Sequence, residues 1–160
     1  MKNISISTFG IYRDDEETVL QIDCSQSAKA YTHFATEPLE LVYPTNNIGL
    51  EIGVVFGITI NLNLQPEVID NSYEIRIFHP EMEDPDTEYS YTKTSYTIDL
   101  IGLESFSVLY IFEEKFELQE GFWNFQLLQN NLVVVEKEFQ TYHIAHTTED
   151  MEDEKFFYDI

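Results

Sequence analysis

From residue 48 to residue 64 every second side chain is apolar: Ile48, Leu50, Ile52, Val54, Phe56, Ile58, Ile60, Leu62 and Leu64. The positions between them are Gly49, Glu51, Gly53, Val55, Gly57, Thr59, Asn61 and Asn63. Successive side chains of an extended strand point to opposite faces, so this parity buries one face and leaves the other polar or bare. A helix would scatter the same apolar positions around its circumference, which excludes a helical reading. One straight strand of that length would run about 56 Å, too long for a single pairing in a small domain. Gly53 and Gly57 are therefore expected to bend or bulge the segment so that it serves two pairings.

The same period recurs along the chain. Residues 4–12 and 18–24 flank the charged run Arg13-Asp14-Asp15-Glu16-Glu17 and read as a hairpin. Leu39, Leu41 and Tyr43 alternate before Pro44, and Tyr73, Ile75 and Ile77 alternate before an expected break at His79-Pro80. Thr92, Thr94, Tyr96 and Ile98 follow, then Phe106, Val108, Tyr110 and Phe112. Residues 122–129 and 132–142 are joined by Asn130-Asn131, and Asn tolerates the positive φ angles of a tight type I′ turn. No window carries a helical stripe. About eight or nine strands with short turns predict an all-β fold, an antiparallel β-sandwich of immunoglobulin-like type, with a closed β-barrel as the alternative. Trp123, Phe125 and Leu127 share one parity and are expected to fill the space between the sheets.

At 160 residues the chain has the length of one domain. Its composition changes after His143, so residues 1–143 are expected to form the sandwich and residues 144–160 an acidic tail. Six acids face one base from Thr147 onward, and the tail ends in Phe156-Phe157-Tyr158-Asp159-Ile160. The single cysteine, Cys24, follows Leu20 and Ile22 on one parity and reads as a small buried hydrophobe. The N-terminus lacks the apolar run and small-residue cleavage site of a secretory leader, and no stretch approaches the ~20 apolar residues of a membrane span. A cytoplasmic location is the expectation.

The run Phe112-Glu113-Glu114-x-Phe116-Glu117-Leu118-x-x-Gly121-x-Trp123-x-Phe125 continues through Asn130-Asn131 to Val135-Glu136-x-x-Phe139. Upstream lie Phe56-Gly57, His79-Pro80 and an opening Ser7-Thr8-Phe9-Gly10-Ile11-Tyr12. In that order these residues resemble a bacterial domain family of unknown function built on a small all-β, sandwich-like domain. The resemblance covers residues 4–139 and leaves the acidic tail outside. It implies the fold and carries no catalytic residues; members of that family often look exported.

Charge decides which functions are open. Thirty Asp and Glu against eight Lys and Arg give a net charge of −22. Direct nucleic-acid binding needs a basic footprint to release counterions, and an anionic membrane surface would repel this chain. Disorder is excluded by 12 Phe and 10 Tyr.

Catalytic signatures are missing. The chain has no phosphate-binding glycine loop, no dinucleotide fingerprint and no nucleophile elbow. Its many carboxylates single out no pair whose environments would separate their pKa values. His143-x-x-His146 lacks the one-turn helical spacing of zinc-binding imidazoles. Asp84, Asp86 and Glu88 alternate as hard oxygen ligands suited to calcium, but no glycine permits an EF-hand turn and a solvated loop is expected instead. The expectation is a protein that is not an enzyme and holds no metal or cofactor.

What remains is the acidic surface. Its candidate partner-binding residues are Asp14, Asp15, Glu16 and Glu17; Glu81, Glu83, Asp84, Asp86 and Glu88; Glu113 and Glu114; and, in the tail, Glu149, Asp150, Glu152, Asp153, Glu154, Phe156, Phe157 and Tyr158. Turns lie at the ends of a sandwich, so some of these acids are expected to share one rim, where they would steer a basic protein partner. The expected function is a binding module, in its sharper form an inhibitor or immunity protein that occludes a basic, nucleic-acid-binding surface by charge mimicry. The alternative is an accessory domain of a larger assembly that docks through the tail.

Overall fold

The computed structural model describes residues 4–13, 19–21, 32–35, 39–62, 73–86, 88–98 and 104–144. Eleven strands lie among them: β1 (Ser5–Tyr12), β2 (Val19–Gln21), β3 (Thr32–Ala35), β4 (Leu41–Tyr43), β5 (Asn47–Leu50), β6 (Val55–Asn61), β7 (Tyr73–Asp84), β8 (Tyr89–Ile98), β9 (Ser105–Ile111), β10 (Gly121–Gln129) and β11 (Leu132–His143). They form a six-stranded sheet, β2-β3-β9-β6-β1-β4, and a five-stranded sheet, β5-β11-β10-β7-β8. Neither closes on itself, so the fold is a β-sandwich and the barrel is excluded. The only regular helical turn among the described residues is the 3-10 turn Lys115–Glu117.

The long alternating segment divides at Gly53, one of the two expected bends. β5 belongs to one sheet and β6 to the other, and the turn between them contains Gly53 at φ +95. Ile48, Leu50, Phe56, Ile58, Ile60 and Leu62 are buried between the sheets, whereas Ile52, at the turn, is 48% exposed. Gly57 is not a bend. It lies within β6, opposite Leu109 of β9 and Gly10 of β1, where an added Cβ would stand 2.0 Å from the Val108 carbonyl oxygen. Gly57→Ala must therefore push two central strands apart. The expected cost is roughly 1–3 kcal/mol, read as a thermal midpoint lower by several degrees. An unchanged midpoint would mean that β6 and β9 are not this close.

Four further expectations are corrected. The strand count rises to eleven, because Thr32–Ala35 is too short to carry a pattern and the 48–64 segment contributes two strands. β1 and β2 are not a hairpin: β3, β9 and β6 separate them in the sheet, since adjacency in sequence does not dictate pairing. The sandwich is not wholly antiparallel, because β5 runs parallel to β11. Finally, His79-Pro80 does not end β7. The ladder to β8 slips between Phe78 and Met82, and Pro80, which has no N–H to give, occupies that irregularity. Buried positions change parity there, from Tyr73, Ile75, Ile77 and His79 to Met82 and Asp84.

The core between the sheets is aromatic. Phe56, Tyr110, Phe112 and Phe125 surround Trp123, which is completely buried. A second, smaller cluster of Tyr12, Val55, Leu109 and Ile111 lies on the opposite parity of the six-stranded sheet, with Leu39 and Leu41 against it. Beside it the Tyr12 hydroxyl lies 2.7 Å from Thr8 and 3.0 Å from Thr59, which reaches Ser107 at 2.7 Å. β10 and β11 meet at Asn130 and Asn131, whose φ angles of 53° and 67° are those of the anticipated tight turn. No helix among the described residues is long and apolar enough to cross a membrane.

Candidate functional site: the acidic end and the face beside it

Strand registers bring several candidate acids to one end of the sandwich. Val55 pairs with Ile111 and Ile11 with Phe56, so β6 begins where β1 and β9 finish. The short 51–54 turn joins that end to the end of β5, which lies beside His143 of β11. β11 in turn pairs its Thr141 with Gly121 at the start of β10, and β7 approaches its tip on the other side. The β7–β8 tip, the β9–β10 connection and the end of β11 therefore share one rim.

The 3-10 turn of that connection is built around a buried carboxylate. Glu117 Oε1 accepts the backbone N–H groups of Glu113 at 2.7 Å and Glu114 at 2.8 Å, and Oε2 accepts the Tyr110 hydroxyl at 2.7 Å. Burial pushes the Glu117 carboxyl above its usual range, against these three donors, which pull it down. Glu113 is thereby held exposed and Glu114 half-buried at the rim.

On β7, Met82 and Asp84 point into the core, so Glu81 and Glu83 project from the outer face of the five-stranded sheet. The Ser90 hydroxyl donates to Glu81. Asp86 and Glu88 are exposed at the hairpin tip, with Glu88 at φ 58. Asp84 is a correction to the candidate list. It is fully buried, its Oδ1 accepts the Asp86 N–H at 2.9 Å and its carbonyl accepts the Glu88 N–H at 2.7 Å. It closes the turn instead of presenting charge. Asp14 to Glu17 follow Arg13, and the tail acids and aromatics follow Ile144; all of these lie outside the described residues. Arg13 itself is paired with Glu40 at 2.8 Å.

Sequence reasoning passed over an apolar band next to these acids. Phe122 is 70% exposed on the outer face of β10, and Tyr142, Ile144 and Phe78 are exposed on the same face of the sheet. Phe122 occupies the parity opposite to Trp123, Phe125 and Leu127, among Asn124 and Gln126. An aromatic on the polar parity was the available signal. A shallow cavity of about 250 Å³ opens beside it, lined by Asn46, Asn47, Phe122, Glu138, Phe139 and Gln140. A second, of about 280 Å³, lies at the opposite end by Tyr73, Glu74 and the Asn130-Asn131 turn.

Inside the sandwich, His79 packs against the rings of Trp123 and Tyr91. Its Nδ1 is 2.8 Å from the Pro80 carbonyl, which makes Nδ1 the protonated nitrogen of the neutral ring, and burial pushes its pKa down. Its Nε2 and the Trp123 indole N–H are both buried without a hydrogen-bond partner. Among the described residues no three His, Cys, Asp or Glu side chains are grouped to hold a metal ion.

Comparison with known proteins bears on the fold. The model of a domain of unknown function (DUF3859) matches residues 2–141. An immunoglobulin-like protein from Pseudomonas aeruginosa superposes with a TM-score of 0.61 at 17% identity, covering 88% of this chain and 97% of its own. At that identity the likeness shows the fold alone. A putative lipoprotein from Bacillus anthracis aligns over 85% of this chain and 86% of its own, at 14% identity and a TM-score of 0.29, too weak a likeness to bear on fold or function. No curated protein matches the chain.

Proposed function

The chain belongs to the DUF3859 family, a domain of unknown function borne here on an immunoglobulin-like sandwich, and on that premise we propose that it is a non-enzymatic module that binds a basic protein through its acidic end. In the sharper form of this reading it is an inhibitor or immunity protein that covers a nucleic-acid-binding surface by standing in for phosphate charge. The observation that carries it is the exposure of Asp86 and Glu88 at the β7–β8 tip and of Glu113 in the β9–β10 connection on one rim, with Glu81 and Glu83 on the adjoining outer face, in a domain of net charge −22. An exposed apolar band beside that rim adds the desolvated contact that charge alone does not supply, since electrostatic complementarity chiefly sets encounter rate and partner choice.

The test immobilises the full chain and captures proteins from its host's lysate at low and high salt. The expected result is a basic protein retained at low salt, released at high salt and displaced by added DNA. Charges separated by more than about 8–10 Å are screened at physiological ionic strength, so the contrast should be steep. Retention indifferent to salt would sink the electrostatic reading. Release by salt without displacement by DNA would remove the mimicry and keep the acidic module.

A further inference from the structure

We propose that the cavity beside Phe122 is a subsite for an arginine side chain of the basic partner. The inference rests on the reading of this chain as a binder of basic proteins, and it gives that reading a defined point of contact. At about 250 Å³ the cavity is smaller than the ~300–1,000 Å³ of pockets that enclose whole small ligands, so it suits one side chain.

The lining has the chemistry of a cation site. Asn47 of β5 lies beside Gln140 of β11, and Gln140 lies opposite Phe122 of β10, so the three stand in one row across the sheet. Phe122 presents its ring outward, 70% exposed, and is free for an incoming group to stack on. Glu138 lies one position along the same outer face. The neighbouring Glu136 is already engaged, accepting Asn124 Nδ2 at 3.0 Å and Gln126 Nε2 at 3.4 Å. The Glu138 side chain makes no hydrogen bond or ion pair among the described residues. An aromatic face, an unengaged carboxylate and amide side chains thus line one small hollow.

A carboxylate or phosphate ligand would be repelled by Glu138, and a purely apolar group would leave its charge facing hydrocarbon. A guanidinium answers both walls at once. It is planar and weakly hydrated, it stacks on the ring, and its fork of N–H donors reaches a carboxylate and an amide oxygen together. A lysine ammonium, a more strongly hydrated point charge, matches the flat aromatic wall less well. Glu81 and Glu83 project from the same outer face on β7, the strand next to β10, so flanking basic residues of the partner would find further acids there.

The experiment is an NMR titration of the full chain with N-acetyl-arginine amide, run beside the lysine analogue and the uncharged citrulline analogue. The expected result is saturable shifts concentrated at Phe122, Glu138 and Gln140 with arginine, weaker ones with lysine and none with citrulline. Phe122→Ser and Glu138→Gln change exposed side chains and should leave the fold intact. Each should weaken arginine binding about two- to fivefold. Shifts spread evenly over all acidic segments, an equal response to citrulline, or no saturable shift would each overturn the subsite. Salt-sensitive capture of a basic protein that persists in both variants would remove the subsite and leave the binding module standing. Loss of capture in the unaltered chain would instead remove the module itself.

Discussion

Trp123→Ala is expected to cost about 3–5 kcal/mol of folding free energy and to lower the thermal midpoint by roughly 6–20 °C. Trp123 is completely buried and ties four strands and one connection together. Its ring centroid lies 5.2 Å from Phe56 of β6, 4.8 Å from Tyr110 of β9, 6.0 Å from Phe112 just after it, 5.3 Å from His79 of β7 and 6.4 Å from Phe125 of its own strand. Phe56 and Tyr110 belong to the opposite sheet, so truncation opens a cavity at the sheet interface, where neither layer can collapse inward alone. Trp123→Phe separates volume from polarity. The indole N–H has no hydrogen-bond partner, so losing it removes no bond, and the phenylalanine variant should lose well under half of what alanine loses. Denaturant unfolding followed by circular dichroism reads both variants, since this is the only tryptophan. A loss below about 1 kcal/mol for the alanine variant would show that the sheets do not pack through this residue.

The core was legible because burial on a strand has a period, and Trp123, Phe125 and Leu127 obey it. Where a second face is also buried the period fails. Val55, Leu109 and Ile111 sit on the nominally polar parity and pack with Tyr12, so nothing in their spacing announced them. Pairing was less legible still. The alternating runs of β1 and β2 are close in sequence, yet three strands stand between them, because a crossover and a tight turn leave the same local signal. At Pro80 the sequence carries a residue that disrupts a regular ladder and so signals an end, but a bulge accommodates it and the strand continues to Asp84.

At the site, charge could be read from composition and burial could not. Glu113, Glu114 and Glu117 look alike in a run of acids, but one is exposed, one half-buried and one fully buried. Asp84 sits among exposed acids and is itself inside. The difference arises from which backbone N–H groups each turn leaves unpaired, a property of the folded chain. Phe122 is the converse case. Its place on the polar parity of a strand whose other parity holds Trp123 marked it as outward-facing, and only the strand order could put it beside Glu138 and Asn47.

Glu117→Ala carries the second large expected loss, roughly 2–4 kcal/mol, because it strands the N–H groups of Glu113 and Glu114 and the Tyr110 hydroxyl together. The hydroxyl has a fallback in the Met82 sulfur at 3.7 Å. Glu117→Gln should cost far less, since an amide oxygen can still accept the two backbone donors and the amide N–H₂ can donate to Tyr110. The pH dependence distinguishes the two roles of the carboxylate. Burial holds its folded-state pKa above the ordinary value of 4.5, so across the window between them the native state binds the proton more tightly than the unfolded chain does. The stability contributed by protonated Glu117 is fully present below 4.5 and is lost as pH rises through the folded-state pKa. The glutamine variant mimics the protonated form at every pH. Stability of the native chain relative to Glu117→Gln should therefore fall as pH rises through that window and then level off. General repulsion among the other acids affects both proteins alike and cancels in the difference. A difference that stays flat from pH 4.5 upward would mean that the three donors, and not burial, govern the carboxyl, and that it enters the fold already ionised.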